Sequence, residues 1–246
     1  MIDRPDGSPD EPRQRWRIVF ARDAAVRDPS SATGAAWEAA LARTGLPIAR
    51  SLGKSPRPKL TVGAPLPVGM AGEAELADLV LTERLPVAEV RAKLSGHLPE
   101  GHRLVDLHDV WLGAPTVVAQ IVAADYRLTV RGASELELDG ACSELVAATR
   151  IERTRQKGDG RAVTYDLRPL ILTLHAGPPD PPSEDGAGAA TLRMRLRHAQ
   201  DGPAGRPDEV ILALGEALGR RLAGGSIVRE RLLTADPLEG AGARSG

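Results

Sequence analysis

The chain has 246 residues, 42% of them apolar and 26% charged, with a formal net charge of −1. That length allows one large or two small domains with buried cores, and the near-neutral charge excludes a global field drawing the protein onto nucleic acid or an anionic membrane. Aromatic residues make up 2%, and the one cysteine, Cys142, excludes an internal disulfide and a cluster held by several thiolates.

Residues 1–12 are polar and proline-rich with no apolar signal core, and read as a disordered leader. WRIVFA at 16–21 is β-rich and predicts the first strand. Residues 33–43 carry Ala36, Trp37, Ala40 and Leu41 at helical spacing, with Thr33 as N-cap and Gly45 as stop. Short strands are expected at 47–51, 59–62 and 76–82. A helix at 86–98 follows, with Pro86 in its first turn, and a strand at 102–111 closes the series. The second half repeats this order. A strand at 126–130 precedes a helix at 136–148. Strands 150–156 and 162–167 flank the turn signal KGDG, and 170–175 prolongs that hairpin. LRMRLRH at 192–198 alternates strictly, as a half-exposed strand does. A helix at 207–222 and a strand at 227–233 end the series.

The fold class predicted is α+β, two ferredoxin-like βαββαβ units in tandem at 13–115 and 116–236. A flexible Pro/Gly/Ala loop is expected at 176–190 and a loose tail at 237–246. No apolar run is long enough to span a bilayer, and a single cysteine fits a reducing cytoplasm, where the chain is expected.

The most unusual stretch runs from Arg50 to Met70, inside a window between Glu38 and Glu73 that holds no acidic residue. Arg50, Lys54, Arg57 and Lys59 supply its charge. Pro56, Pro58, Pro65 and Pro67 stiffen it, and Gly53 lets it turn. Arg57, between two prolines, can fork onto a phosphate. The plainer alternative is a solvated hairpin paired with acids such as Glu73 and Glu75. A second basic cluster surrounds the KGDG hairpin, where Arg153 and Arg155 share one strand face. Together the two clusters could line a groove for an RNA backbone; against this stands a hairpin face neutralised by Glu152, Asp159 and Asp166. Asp166 and Arg168, two apart, read as a structural clasp at a strand end. The five histidines, His102 and His108 among them, show no metal-ligand spacing, so no metal site is expected. Cys142 reads as a buried thiol, and Trp16, Trp37 and Trp111 as core anchors.

The run TGLPIARSLGKSPRPKLTVGAPLPVGM carries Gly45-Leu46-Pro47, a strand ending in Ser51, Gly53 with Pro56-Arg57-Pro58, and Leu66-Pro67 with Gly69. With YDLRPLI at 165–171 and GRPDEVILAL at 205–214, it resembles the radical SAM-associated (radical SAM-linked) proteins of unknown function. The chain departs from that pattern in DPSSATGAAW and GKSPRP, where relatives often carry a histidine and an aromatic. The resemblance implies an accessory subunit fused to, or encoded beside, a cobalamin-binding radical SAM protein. That partner would carry the iron–sulfur cluster, S-adenosylmethionine and cobalamin, and this chain no cofactor. The expected function is substrate presentation, with structured RNA held by Arg50, Ser51, Lys54, Arg57, Lys59, Arg153 and Arg155. Two other readings stay open: a protein-interaction module without nucleic acid, and an independent enzyme built on Asp166.

Overall fold

Trp16, Ile18 and Phe20 alternate along β1 (Gln14–Arg22), and all three are buried. Such an apolar strand face needs a helical layer over it. The computed structural model, which describes residues 11–26, 30–156, 160–179, 189–198 and 204–235, supplies that layer twice. The chain divides into two units, residues 1–68 with 72–120, and 69–71 with 121–246. The expected leader and tail fall largely outside the described residues, as does the centre of the expected 176–190 loop. The ends of that loop are strand.

In the first unit β1 is followed by α1 (Ser30–Ala42), β2 (Leu60–Val62), β3 (Ala71–Leu81), α2 (Val87–Ser95) and β4 (His102–Val110). The order across the sheet is β4-β1-β3-β2, antiparallel throughout. This is the ferredoxin-like arrangement. Trp37 and Leu41 of α1 and Val90 and Leu94 of α2 pack on Trp16, Ile18, Phe20, Leu79 and Leu107. Each fully buried aliphatic or Phe side chain contributes about 1.5–3 kcal/mol. After α1 the chain reverses at Gly45, whose φ of 63° suits glycine. Thr44 helps by donating its hydroxyl to the Leu41 carbonyl at 2.8 Å. Helix α1 starts at Ser30, so Thr33 is not its cap. The strand expected at 47–51 is only two isolated bridges, Ile48 to Leu81 and Arg50 to Pro58. Residues 111–120 lead into a short helix α3 (Val117–Gln120).

The second unit runs β5 (Ile121–Arg131), α4 (Glu135–Ala147), β6 (Glu152–Gln156), β7 (Ala162–Asp166), β8 (Ile171–Gly177), β9 (Ala189–Arg197), α5 (Pro207–Ala217) and β10 (Ala223–Thr234). Its sheet order is β10-β5-β9-β8, the same wiring. Among the described residues β6 and β7 pair only with each other, and they form an inserted hairpin. The sheet's own second and third strands are β8 and β9, which corrects the expectation that 170–175 extends the hairpin. Helix α4 begins with a capping box, in which Ser134 and Glu137 exchange hydrogen bonds. Those bonds, with Arg220, hold the Glu137 carboxyl down at about 2. Proline at the start of α5 and Asp208 and Glu209 in its first turn suit a helix N-terminus. Near the end of β10 the register slips between Arg229 and Arg231, a bulge that leaves Glu230 as the extra residue.

Trp111 is not a core anchor. The strand ends one residue earlier at Val110, and the indole is 78% exposed. Cys142 is buried, and burial pushes its thiol up to about 12, which keeps it protonated and unreactive.

Candidate functional site

Residues 50–59 form a loop closed by its own backbone. The Ser51 amide donates to the Arg57 carbonyl at 2.8 Å, the Arg57 amide to Ser51 Oγ at 3.0 Å, and the Lys59 amide to the Ala49 carbonyl at 2.7 Å. Gly53, at φ 133°, makes the turn. The tip from Ser51 to Arg57 is exposed, with Leu52 96% accessible. The Arg50 guanidinium donates to the Pro56 carbonyl at 3.1 Å. Arg57 stands 3.7 Å from Glu38 of α1, a long and exposed contact of little energetic weight. It does not pair with Glu73 or Glu75. Among the described residues, Arg50, Lys54 and Lys59 form no ion pair with a carboxylate.

Behind this loop the first unit holds a cavity of about 260 Å³. Phe20 and Arg22 from β1, Glu38 from α1, Glu75 from β3 and His102 from β4 line it, and the 63–66 stretch closes one side. Strand pairing assembles these groups: Phe20 lies opposite Glu75, and Arg22 opposite His102. Arg22 donates to the Leu66 carbonyl at 2.9 Å and the Val26 carbonyl at 3.2 Å, tying the 63–66 segment to the strand. The His102 ring lies 5.6 Å from Phe20 and 5.9 Å from Trp37. Burial, reinforced by the Arg22 charge, lowers its pKa from 6.5. Its Nδ1 lies 2.9 Å from the Glu100 carbonyl, so Nδ1 carries the proton and Nε2 is left as an acceptor. That Nε2 is buried without a hydrogen-bond partner. The pocket thus offers one cation, two carboxylates and a neutral acceptor against an aromatic floor. No set of three metal-ligating side chains clusters among the described residues.

None of Arg22, Glu75 and His102 was singled out by sequence as a cavity group. Arg22 had a usable signal: it continues the core-facing rhythm 16, 18, 20, 22, where a cation is out of place unless it serves something. His102 and Glu75 had none, being brought in by register alone.

The inserted hairpin turns Arg153 inward. Arg153 and Arg155 share one strand face, and both are partly buried. Arg153 Nε donates to Glu209 at 3.0 Å and NH1 to Glu216 at 2.7 Å, and only 10% of its side chain is exposed. Two carboxylates two helical turns apart on α5 draw the guanidinium in, so Arg153 is a tether. Arg155 lies 5.9 Å over the Tyr165 ring, a cation–π arrangement. Asp166 and Arg168 act through backbone groups, and their side chains form no ion pair with each other. Asp166 Oδ1 accepts from the amides of Ile151 at 2.9 Å and Arg168 at 3.0 Å. Arg168 donates to the Val146 carbonyl at 2.8 Å and the Ile171 carbonyl at 3.0 Å. Amide hydrogen bonds, the Ile151 one foremost, hold the Asp166 carboxyl below its usual range.

The chain is thus an α+β protein of two ferredoxin-like units, with a cationic loop beside a small cavity in the first. It belongs to a family of uncharacterized proteins conserved in bacteria (DUF2344), whose profile matches residues 17–207. It has no significant match among curated proteins. Among solved structures it is similar to a chain of the Cbf5-Nop10-Gar1 complex, at 13% identity and TM-score 0.41, over 72% of this chain and 42% of that one. It spans less than half the length of that chain. It is also similar to a protein described as a glycine cleavage system transcriptional repressor, at 9% identity and TM-score 0.25, over 88% of this chain and 98% of the other. No helix among the described residues is long and apolar enough to cross a membrane.

Proposed function

We propose that this protein is an accessory subunit that docks on a cobalamin-binding radical SAM protein through residues 50–59 and presents a substrate to it. The observation that carries the reading is the loop itself. Its backbone is fixed by internal hydrogen bonds, while its cations and Leu52 are left to solvent. A preordered loop loses little conformational entropy on binding. An apolar tip ringed by positive charge suits a protein surface carrying acids. RNA on this loop is the weaker reading, because the loop has no aromatic side chain on which bases could stack and the Arg153 branch of the track is neutralised internally. The cavity beside the loop, with its buried acceptor on His102, is where a presented group would enter. The cluster, S-adenosylmethionine and cobalamin would belong to the partner.

Co-purification with a cobalamin-binding radical SAM protein encoded beside this chain tests the reading. Tagged wild type should retain the partner with or without ribonuclease, and K54E/R57E should release it. No retention by the wild type, or equal retention by the variant, would overturn the proposal. Retention that ribonuclease abolishes would transfer the loop to RNA.

A further inference from the structure

In the second unit one sheet face is covered by α4 and α5, and the other carries arginines. Asp125 and Arg127 of β5 and Arg193, Arg195 and Arg197 of β9 alternate with the core residues Tyr126, Met194 and Leu196. The Glu230 bulge of β10 brings Glu230 and Arg231 to the same face. Each carboxylate there serves two arginines. Asp125 accepts from Arg195 at 2.7 and 3.0 Å and from Arg231 at 2.8 Å. Glu230 Oε1 accepts from Arg127 at 2.9 Å and Arg193 at 2.8 Å. Arg197 stands at the end of the row, 3.4 Å from the Pro169 carbonyl. Among the described residues, five arginines share this face with two carboxylates. The arginine side chains are open to solvent, at 40% for Arg193, 38% for Arg195 and 57% for Arg231.

This is an ordered array. A guanidinium carries five N–H donors. Arg195 and Arg231 spend few of theirs on Asp125, so most remain for another anion while the carboxylate fixes the fork. Strand geometry spaces the arginines by about 6.6–6.8 Å along β9 and about 4.8 Å between strands. A repeating monoanion meets such a lattice better than a single small ligand does. Between Asp125 and Thr129, and between Arg193 and Arg197, the outward positions hold no apolar or aromatic side chain. On the third strand, half-buried Val228 lies opposite Arg127, a single small apolar side chain among the arginines, and β5 and β9 offer no aromatic platform for bases there.

We infer that this face binds the sugar–phosphate backbone of a nucleic acid, without reading its sequence. The inference is independent of the docking loop, which lies in the other unit.

The test is fluorescence anisotropy of the full chain with a labelled RNA hairpin and a DNA hairpin of matching sequence, titrated across salt. Wild type should bind at least one probe, with affinity falling as salt rises. R193Q/R195Q should weaken it on the order of 10–100-fold and reduce the log–log salt slope by about 1.4–1.8 for two lost phosphate contacts. R231Q, at the edge of the array, should give a smaller loss with an unchanged thermal melt, which keeps the test valid if the double variant unfolds. R84Q, at an exposed arginine of the first unit outside the docking loop, should bind as wild type does. The ratio of the two probes names the nucleic acid. No binding at low salt, equal binding by R231Q and the double variant, or competition by polyglutamate as strong as by unlabelled hairpin would each overturn the inference.

Discussion

The two units carry the same cross-strand ion pair with its signs exchanged. In the first, Arg17 on the leading strand lies opposite Asp78 on the third. In the second, Asp125 on the leading strand lies opposite Arg195 on the third. Their surroundings differ completely. Arg17 and Asp78 are 1% and 4% exposed, sealed by α3: the Val117 amide donates to Asp78 Oδ2 at 2.8 Å, and Gln120 accepts from Arg17 at 2.6 Å. Arg15 fastens the segment leading into α3 by donating to the Leu112 and Ala114 carbonyls. In the second unit no described helix of the unit covers the same place, and the pair gains Arg231. One wiring therefore gives an internal rivet in one copy and an outward charge array in the other, and the segment laid over the sheet decides which.

That comparison can be broken most sharply at its buried end. Arg17→Ala leaves Asp78 buried without its partner and should cost about 3–5 kcal/mol of unfolding free energy in urea. Gly205→Ala comes next. A Cβ there would stand 2.7 Å from Leu196 Cβ and 3.1 Å from the Leu170 carbonyl, so overpacking should cost about 1–3 kcal/mol. Ser134→Ala removes the α4 cap and should cost about 0.5–2 kcal/mol. Arg231→Ala, on the open pair, should cost no more than about 1 kcal/mol. If Arg17→Ala and Arg231→Ala prove equal, the distinction between rivet and array is wrong.

Acidity sharpens the comparison further, because each unit holds a half-buried histidine whose pKa is lowered. Burial first, then a neighbouring arginine, lowers the pKa of His102 and of His198 below 6.5. The unfolded chain therefore takes up these protons before the fold does, and stability should fall as pH drops below about 6.5. Asp125 titrates lower still. Burial opposes its charge, but the Arg195 and Arg231 hydrogen bonds outweigh that and hold its carboxyl below the usual range. Its contribution should survive until the pH falls below about 3.9. Urea midpoints between pH 7 and 3 in wild type and H102Q check the order, and a variant losing as much below pH 6.5 as the parent would show that His102 takes no part.

The βαββαβ wiring could be read from the chain because it rests on local signals: strand alternation in WRIVFA and LRMRLRH, prolines opening α2 and α5, and glycine ending α1. What could not be read was where polar segments belong. ERTRQ and AVTYD alternate as well as any sheet strand, and only the pairing of β8 with β9 shows that their hairpin is an insertion. Charge was visible only as runs. The run at 50–59 is exposed as expected, but Arg153 meets Glu209 and Glu216 some sixty residues away, and no local pattern announces that. The arginine face drew no attention for the opposite reason, since Asp125, Arg195 and Arg231 lie on three strands far apart in sequence.

The bulge in β10 turns a charge pattern into a matter of chain length. Two neighbours, Glu230 and Arg231, share one side of the sheet only because the strand holds a supernumerary residue there. Deleting Glu230 would restore the two-residue rhythm while stripping Arg127 and Arg193 of their common counterion, and the row would become mutually repelling. A one-codon loss would thus be felt less in the hydrophobic interior than in the order of the guanidinium groups outside it.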